Sequence, residues 1–418
     1  MPAPMKKQDS SYFELTQKDM SKEIFTNKEA YRFLKVEQYF YRYKEWEKLG
    51  DCKKSSFDKD SNTLTLDFIR ADNAVCSMLI QFMQSDTFRV RFNPGKMGKD
   101  YTSKNSRTVV QDTTDDLTRI LYEKENFQID VNDLNGKQGI EMITKRKDES
   151  GNFTQSAMKV KVSFAPFSVK VYNYIDKVEF LVWETAETPI YFTPNGENDY
   201  AIIQAVNKPS SAKYIGFGEQ GGQNLTKNST QANYFNFDNM RYRQVYNQGP
   251  LDCREPLYHS DPFFLEFNGL QDKDSVNAIF IDNPGQLFVD IGYLNSNRYM
   301  FGSRFGDMDY YFFMGDTPAD VVESFTSIVG RSRLKPRYCL GYHQGCYGYD
   351  SRAAVEWAVN KYREYKIPLD GMHIDVDIQH NYQTFTIDES RFPNPKEMFT
   401  ELKKKRYKMQ HKYYSGDK

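Results

Sequence analysis

The chain has 418 residues, with 56 basic and 57 acidic side chains, so its net charge is close to zero. A chain of this length exceeds one ordinary hydrophobic core, and two or three domains are expected. The balanced charge, without a long block of one sign, gives no support to a nucleic-acid or anionic-membrane partner, whereas a neutral partner such as a sugar fits.

The cysteines are few, odd in number and widely spaced, which predicts neither a disulfide framework nor a zinc site. The N-terminal residues have no apolar signal-peptide core, and no run of the chain approaches the roughly 18 apolar residues of a membrane span. We therefore expect no membrane partner and a cytoplasmic location, or a mature form whose signal is missing. The sequence does not indicate an oligomeric state.

Residues 1–60 are polar and charged and are predicted to form an N-terminal extension. Within it, Glu29 to Leu49 have a helical pattern, because apolar side chains recur three and four residues apart at Phe33, Val36, Phe40 and Tyr43. This pattern predicts a helix that docks on the rest of the protein.

Residues 61–315 have the pattern of a β-sandwich domain. Apolar and polar residues alternate in Thr63–Phe68, Phe88–Phe92 and Ala157–Val162, as they do in half-buried strands. Clusters of Gly, Asn, Asp and Pro separate such segments, and many short strands between turn signals are typical of a sandwich.

Two turns in this domain contain possible functional residues. In Tyr214–Glu219, two glycines allow a tight turn that places Glu219 against a neighbour, and a structural role is favoured over catalysis. Asp238 lies between asparagines in Asn236–Met240, where an aspartate is usually a turn residue.

Residues 316–337 are predicted to form a helix and a basic linker. Asp316 or Thr317 is the expected N-cap, with Pro318 in the first turn and the helix ending near Gly330.

Residues 338–418 have a strand–helix–strand pattern. Tyr338–Tyr342 is the first predicted strand, Ser351–Tyr365 is a helix with Ser351 as N-cap, and a second apolar run ends at Asp375 and Asp377. Such a unit implies parallel strands. In parallel α/β barrels the reactive side chains lie at the carboxyl ends of the strands.

Asp375 and Asp377 do not have the arrangement expected of a catalytic pair. Two residues apart on one strand, they would share a face at a separation of about 6.5–7 Å, which overlaps the range of inverting glycosidases. An acid and a base must flank the scissile bond from opposite sides, however, and neighbours on one strand approach it from one side. Asp377 is expected to turn inward and hold the loop.

Three segments of this region resemble the start of the catalytic barrel in glycoside hydrolase family 31, namely LGYHQGCYGY, IPLDGMHIDVDIQ and FTIDESRFPNPKEMF. The resemblance extends upstream through YFNFDNMRYRQVYNQGPLDCREPLYHSDPFFLEF and covers most of Asn62 to Met398. Within the family the chain is most similar to the α-1,4-glucan lyases of fungi and red algae. It has Asp-Val-Asp-Ile-Gln at Asp375 where typical α-glucosidases have Asp-Ile-Asp-Tyr-Met.

The resemblance implies a galactose-mutarotase-like β-sandwich followed by the first βα units of an incomplete (β/α)8 TIM barrel. It also implies four substrate-binding residues. Asp238, on a sandwich loop, would bind hydroxyls of the sugar at the cleavage point, and Tyr347 would line the wall of the sugar pocket. Asp375 would bind the outer hydroxyls, with Val376 beside the ring.

The resemblance places the nucleophilic aspartate and the acid/base on later strands, so we expect both beyond the C-terminus and none among these residues. Residues 338–418 suffice for two βα units, whereas a barrel needs about 250 residues. The tail KKKRYKMQHKYYSGDK lacks the apolar run of a buried parallel strand, and no third strand is expected. No metal or organic cofactor is implied.

The implied parent activity is cleavage of α-1,4-glucosidic bonds in starch, glycogen or maltosaccharides through a covalent glucosyl-enzyme. In a lyase, which the resemblance favours, elimination from this intermediate releases 1,5-anhydrofructose. The alternatives are an α-glucosidase or α-transglucosylase, and a non-catalytic carbohydrate-binding remnant.

Overall fold

The computed structural model describes residues 46–102, 106, 108–109, 127–134, 138–175, 178–196, 199–220, 224–234, 259–270, 273–404 and 408–411. The chain forms two compact units. The larger unit lies within Met20–Arg331, and the smaller unit includes the residues from Ser332 onward.

The larger unit is built from antiparallel strands. In chain order they are β1 Glu47–Lys48, β2 Cys52–Asp58, β3 Thr63–Ile69, β4 Val75–Gln84, β5 Thr87–Phe92, β6 Phe127–Leu134, β7 Gly139–Lys147, β8 Phe153–Phe164, β9 Phe167–Ile175, β10 Val178–Pro194, β11 Tyr200–Asn207, β12 Lys213–Gly216, β13 Thr230–Tyr234, β14 Phe263–Leu270, β15 Lys273–Ile281, β16 Leu287–Ile291, β17 Arg298–Ser303 and β18 Met308–Gly315.

These strands form two sheets. One sheet has the order β13-β16-β17-β11-β10-β9-β8-β7-β6, with β1 paired to β10, and the other has the order β12-β14-β15-β18-β5-β4-β3-β2. A single apolar cluster contains side chains from both sheets, among them Leu66 and Phe88 of one and Val160 and Ile202 of the other. The two sheets therefore share one core, which confirms the predicted β-sandwich.

The segments in which apolar and polar residues alternate form strands, as their pattern predicts. In β3 the three residues Leu64, Leu66 and Phe68 are fully buried, while the residues between them are partly exposed. In β5 every residue is buried, including the polar ones. Arg89 is accommodated there because its Nε donates to Asp309 Oδ1 at 2.8 Å on the neighbouring strand β18, and a buried charge requires such a partner.

The β-structure begins before residue 61, where we expected the sandwich to start. β2 forms the edge of its sheet and pairs with β3 through a turn in which Asn62 has a φ of 51°. Its sequence, CKKSSFD, has few apolar residues because an edge strand of this kind is held mainly by backbone hydrogen bonds. Residues 29–45 of the predicted docking helix lie outside the described residues. Its expected last residues include the strand β1 and no helix.

Buried polar groups connect the two sheets through the core. Trp183 Nε1 on β10 donates to the hydroxyl of Tyr299 on β17 at 2.7 Å, and Tyr299 hydrogen-bonds the carboxyl of Glu266 on β14. In addition, Asn268 and Asn277 both donate to the carbonyl of Val182, at 3.1 and 2.8 Å. Such bonds require one relative position of the sheets, because a slip would leave buried polar groups without partners.

Helix α1, Pro318–Val329, follows the last sandwich strand and confirms the predicted helix. Thr317 is the N-cap and forms a capping box with Asp320, and Gly330 ends the helix with a φ of 88°. The ring of Phe325 stacks on Phe263 of β14, with centroids 4.1 Å apart, so α1 packs on the sandwich.

The smaller unit contains a parallel sheet in the order β19-β20-β21 and two helices. Its elements are β19 His343–Cys346, α2 Arg352–Glu364, β20 Gly371–Ile374, α3 Pro395–Lys404 and β21 Lys408–His411. The predicted helix is confirmed, and Ser351 Oγ caps it by accepting from the backbone N–H of Ala354 at 3.3 Å. Val355 and Val359 of α2 form a core with Ile374.

Two predictions for this unit were wrong. The first strand is His343–Cys346, whereas Tyr338–Tyr342 contains a 3-10 turn at Arg337–Leu340 after Pro336. The tail does form a third strand, since β21 pairs in parallel with β20. Both predictions used apolar residues as the signal of a buried strand. These four-residue strands are defined by their backbone hydrogen bonds instead. None of the helices in the described part of the chain has the length and hydrophobicity that crossing a bilayer requires.

The buried carboxyl group of Glu266 predicts a pH-dependent stability of the sandwich. Burial raises its pKa from 4.5 to about 8, and the neighbouring hydroxyl groups of Tyr299 and Tyr214 oppose the rise. Between these values the folded chain keeps a proton that the unfolded chain releases. The free energy of unfolding should therefore fall as the pH rises from about 5 to 8, by at most ~1.4 kcal/mol per pH unit.

Urea unfolding between pH 5 and pH 8 checks this expectation. Glu266→Gln keeps a neutral polar group and should flatten the pH profile, while Glu149→Gln, at an exposed position, should leave the profile unchanged. Parallel profiles for the wild type and Glu266→Gln would contradict the prediction.

Candidate sugar site at the ends of the parallel strands

Side chains of β19 and β20 alternate between two faces. Gln344 Oε1 accepts from the hydroxyl of Tyr362 on α2 at 2.6 Å, and Ile374 lies in the core beside α2, so these residues face the helix. The intervening residues face the opposite side, where His343 Nδ1 lies 2.9 Å from His373 Nε2. Side chains two residues further along each strand lie on the same face, so this face continues to the positions just past the strand ends.

The two histidines on this second face are packed against glycines. A Cβ on Gly371 would lie 2.3 Å from His343 Nδ1, so the residue opposite His343 in the ladder must lack a side chain. His343 Nε2 lies 2.9 Å from the carbonyl of Tyr338. Because a carbonyl only accepts, His343 Nε2 carries a hydrogen. Burial, and then the charge of His343, lowers the pKa of His373.

Asp375 directly follows β20 and faces the carboxyl end of the sheet. One of its oxygens, Oδ1, accepts from the backbone N–H of Val376 at 2.7 Å, and this bond caps the 3-10 turn Val376–Ile378. Val376 is half-buried beside it. The structure thus places Asp375 at a strand end, in a part of a parallel sheet where barrel enzymes hold their reactive groups.

Asp377 has a different environment from Asp375. It is only 6% exposed, and its Oδ2 accepts from the backbone N–H of Gly348 at 3.0 Å. Gly348 lies in the turn after β19 and has a φ of 119°, so Asp377 connects the ends of the two strands. This confirms that Asp377 turns inward. It also removes the geometry of a carboxylate pair on one strand, because Asp377 lies in the turn beyond β20.

Tyr347 also lies at this end of the sheet, and its side chain is 44% exposed. A hydrogen bond with the hydroxyl of Tyr382, then burial, then the charges of Asp377 and Asp375 raise the pKa of Tyr347 to about 12. Tyr347 directly follows Cys346, which pairs with Ile374 in the ladder, and Asp375 directly follows Ile374. The structure therefore brings together Tyr347, Asp375 and Val376, whereas Asp238 lies outside the described residues.

The sequence patterns missed the loop that follows. Asn381, Tyr382 and Phe385 have φ values of 49°, 57° and 66°, and the last two are aromatic residues that rarely adopt this conformation. Thr386 Oγ1 holds the loop by donating to the carbonyl of Gln383 at 2.6 Å. Hydrophobic periodicity carries no signal for such a loop, which is defined by backbone conformation.

The turn Tyr214–Glu219 has a structural role. Gly216 and Gly218 have φ values of 116° and 69°, and a Cβ on Gly218 would lie 2.7 Å from the backbone nitrogen of Asp261. Glu219 Oε2 accepts from the backbone N–H of His259 at 2.7 Å. The glycines thus allow the close approach, and Glu219 holds the segment that precedes β14. Among the described residues, no cluster of His, Cys, Asp and Glu side chains is arranged to hold a metal ion.

A mutarotase-like sandwich followed by parallel βα units defines a class of carbohydrate-active proteins, and the family models agree with it. Residues 77–290 match the glycosyl hydrolase 31 N-terminal galactose mutarotase-like domain, and residues 332–414 match the glycosyl hydrolases family 31 TIM-barrel domain. The chain belongs to glycoside hydrolase family 31.

Several known proteins are similar to this chain. Alpha-glucosidase 2 of Bacillus thermoamyloliquefaciens is 29% identical over 78% of the chain and 36% of its own length. The dextranase of Flavobacterium johnsoniae has a TM-score of 0.68 at 21% identity, with 88% of this chain and 38% of the dextranase covered. The α-1,4-glucan lyase of Gracilariopsis lemaneiformis has a TM-score of 0.67 at 19% identity, with 88% and 41% covered.

The likeness to the two solved structures shows a shared fold and nothing more, because their sequence identity to this chain is low. The chain spans about a third of the length of Alpha-glucosidase 2 and about two fifths of the length of the two solved proteins.

The hydrogen bond between Asp377 and Gly348 predicts a local loss of stability in Asp377→Ala. The variant leaves the N–H of Gly348 without its acceptor, which should cost about 1–3 kcal/mol and speed hydrogen exchange at this amide. Asp350→Ala is the matched control, because Asp350 is exposed in the same connection, and should change stability by less than about 0.5 kcal/mol. Equal exchange rates at Gly348 in both variants would refute the assignment.

Proposed function

We propose that the carboxyl ends of β19 and β20 bind the terminal glucosyl unit of an α-1,4-glucan such as starch, glycogen or a maltosaccharide. The observation that carries the proposal is the placement of Tyr347 and Asp375 at the ends of neighbouring parallel strands, on the face that carries His343 and His373. The chain belongs to glycoside hydrolase family 31, and the resemblance to that family implies that these two residues bind sugar.

The chemistry of the site suits a sugar. A carboxylate accepts hydrogen bonds from two hydroxyl groups, and such charge-assisted bonds are stronger than neutral ones. Asp375 Oδ1 already accepts from the N–H of Val376, which fixes the orientation of the carboxylate before a ligand binds. The partly exposed ring of Tyr347 supplies an aromatic wall, and Val376 supplies an apolar contact beside it.

We propose that the parent reaction cleaves an α-1,4-glucosidic bond through a covalent glucosyl-enzyme, with a carboxylate nucleophile and a general acid. A lyase would release 1,5-anhydrofructose from this intermediate by elimination. The Asp-Val-Asp-Ile-Gln sequence at Asp375 favours this outcome.

A hydrolase or transglucosylase is the second candidate, because Alpha-glucosidase 2 matches 78% of this chain. The roles proposed for Tyr347, Asp375 and Val376 hold for either reaction, since both bind the same glucosyl unit. The proposed contact of Asp238 with the sugar is common to both as well. A non-catalytic carbohydrate-binding protein would keep these contacts and lack the reaction.

The binding role predicts that Asp375→Asn weakens maltose binding by about tenfold or more, because a charged acceptor contributes about 1.5–3 kcal/mol. Tyr347→Phe should weaken binding by a smaller factor, since it keeps the ring and loses one hydroxyl group. Isothermal titration calorimetry on the 418-residue chain measures both effects. Asp350→Asn, a nearby exposed carboxylate, is the control, and equal affinities of Asp375→Asn and this control would argue against the site.

The 418-residue chain should bind maltose without cleaving it. Asp377 is buried and bonded to Gly348, so it does not face Asp375 across a substrate, and the resemblance places the nucleophile and the acid/base on later strands. Product analysis after incubation with maltose checks this. Release of glucose or 1,5-anhydrofructose that is abolished by Asp375→Ala would overturn it, and the product released would then separate hydrolase from lyase.

A further inference from the structure

Two histidines lie side by side on the face of the parallel sheet that leads to Tyr347 and Asp375. His343 Nδ1 on β19 is 2.9 Å from His373 Nε2 on β20, and the ring centroids are 5.1 Å apart at an interplanar angle of 44°. At this separation one hydrogen atom lies between the two nitrogens, because an N–H group needs an acceptor opposite it and not a second N–H group. The two rings therefore share one hydrogen.

This sharing limits the charge that the histidine pair can carry. The four ring nitrogens hold two hydrogens when both imidazoles are neutral, and one further proton gives a singly charged pair that keeps the N–H···N bond. A second further proton puts a hydrogen on every nitrogen, so that two N–H groups and two positive charges face each other across 2.9 Å. The paired histidines therefore accept one proton, whereas two separated histidines accept two.

Close contacts with the backbone hold the two rings in place. His343 packs against Gly371, where a Cβ would lie 2.3 Å from its Nδ1, and His373 packs against Gly345, where a Cβ would lie 3.0 Å from its own Cβ. Both contacts join residues that are partners in the ladder. On its other side, His343 Nε2 lies 2.9 Å from the carbonyl of Tyr338. His343 is thus held on both sides, and it moves only with a strand or with the turn that contains Tyr338.

The groups around the pair, taken together, disfavour its charged form. Asp375 lies two residues beyond His373 on the same face, about 6.5–7 Å along the strand, and its Oδ1 already accepts from the N–H of Val376. Burial, and then the charge of His343, lowers the pKa of His373, so these effects outweigh the attraction of Asp375. The other titratable residues of the adjoining segments are Tyr347 after β19, Asp370 before β20, Arg337, Tyr338 and Cys339 of the 3-10 turn, and Lys408 and His411 of β21, in register with Gly371 and Ile374.

We propose that His343 and His373 form a pH-sensitive switch in the pairing of β19 with β20. Near neutral pH the shared hydrogen joins the two strands. As the pH falls, the separated strands bind one proton more than the paired strands, so acid favours separation. Tyr347 and Asp375 directly follow the same strands, and they lose their common site when the strands separate. The switch concerns the strand pairing itself and does not rest on the proposed binding of a sugar.

Hydrogen exchange of the 418-residue chain, from about pH 7.5 down to about pH 4.5, tests the switch. After correction for the intrinsic pH dependence of exchange, the protection of residues 343–346 and 371–374 should fall below about pH 6 by up to about tenfold per pH unit, because opening takes up one proton. Residues 287–291 of the larger unit are the internal reference. They should keep their protection, since Glu266 gives that unit the opposite pH dependence.

His373→Gln keeps a hydrogen-bonding group in place of the ring and does not titrate, so its corrected protection should not depend on pH. His380→Gln is the matched control, because His380 is exposed in the same unit, and it should show the wild-type profile. NMR of the labelled imidazole rings in the wild-type chain needs no variant, and the pair should take up its two protons in separate steps, the second together with the loss of protection. The proposal is overturned if His343 and His373 titrate independently near the usual pKa of about 6.5, or if the wild type and His373→Gln share one pH profile.

Discussion

The candidate site depends on the in-register parallel pairing of β19 with β20. The ladder sets His343 opposite Gly371, and the two-residue repeat of a strand then carries Tyr347 and Asp375 to the same end of the sheet on the same face. A shift of one residue would turn one of them toward α2, and the two side chains would no longer share a site. The bond from Gly348 to Asp377 closes the strand ends in this register.

The sandwich uses polar groups in a comparable way. Its core is apolar and aromatic, and such a core alone would tolerate small shifts of one sheet over the other. The chain of hydrogen bonds from Trp183 through Tyr299 to Glu266 crosses that core and has one satisfied arrangement. Within each unit, hydrogen bonds between polar groups therefore fix the relative positions of the strands, while the apolar residues supply most of the free energy of folding.

Much of the fold followed from the sequence, because alternation in β3 and the cap at Ser351 are local signals that folding preserved. The position of β19 did not follow, since its residues are polar and its neighbours are more apolar. The site residues were predictable only through the family resemblance, because an aspartate after a strand is common. Nothing in the local sequence indicated that Asp377 would bond Gly348 or that Tyr382 would adopt a positive φ, because both depend on contacts between distant segments.

The close approach at Gly371 has an evolutionary consequence. With the space for a Cβ occupied by the imidazole of His343, no larger residue fits at position 371 unless position 343 becomes smaller at the same time. The two positions should therefore vary together among homologues, or not at all. A lineage that replaced the histidine first could then place a larger residue at position 371, whereas the reverse order would force the two strands apart.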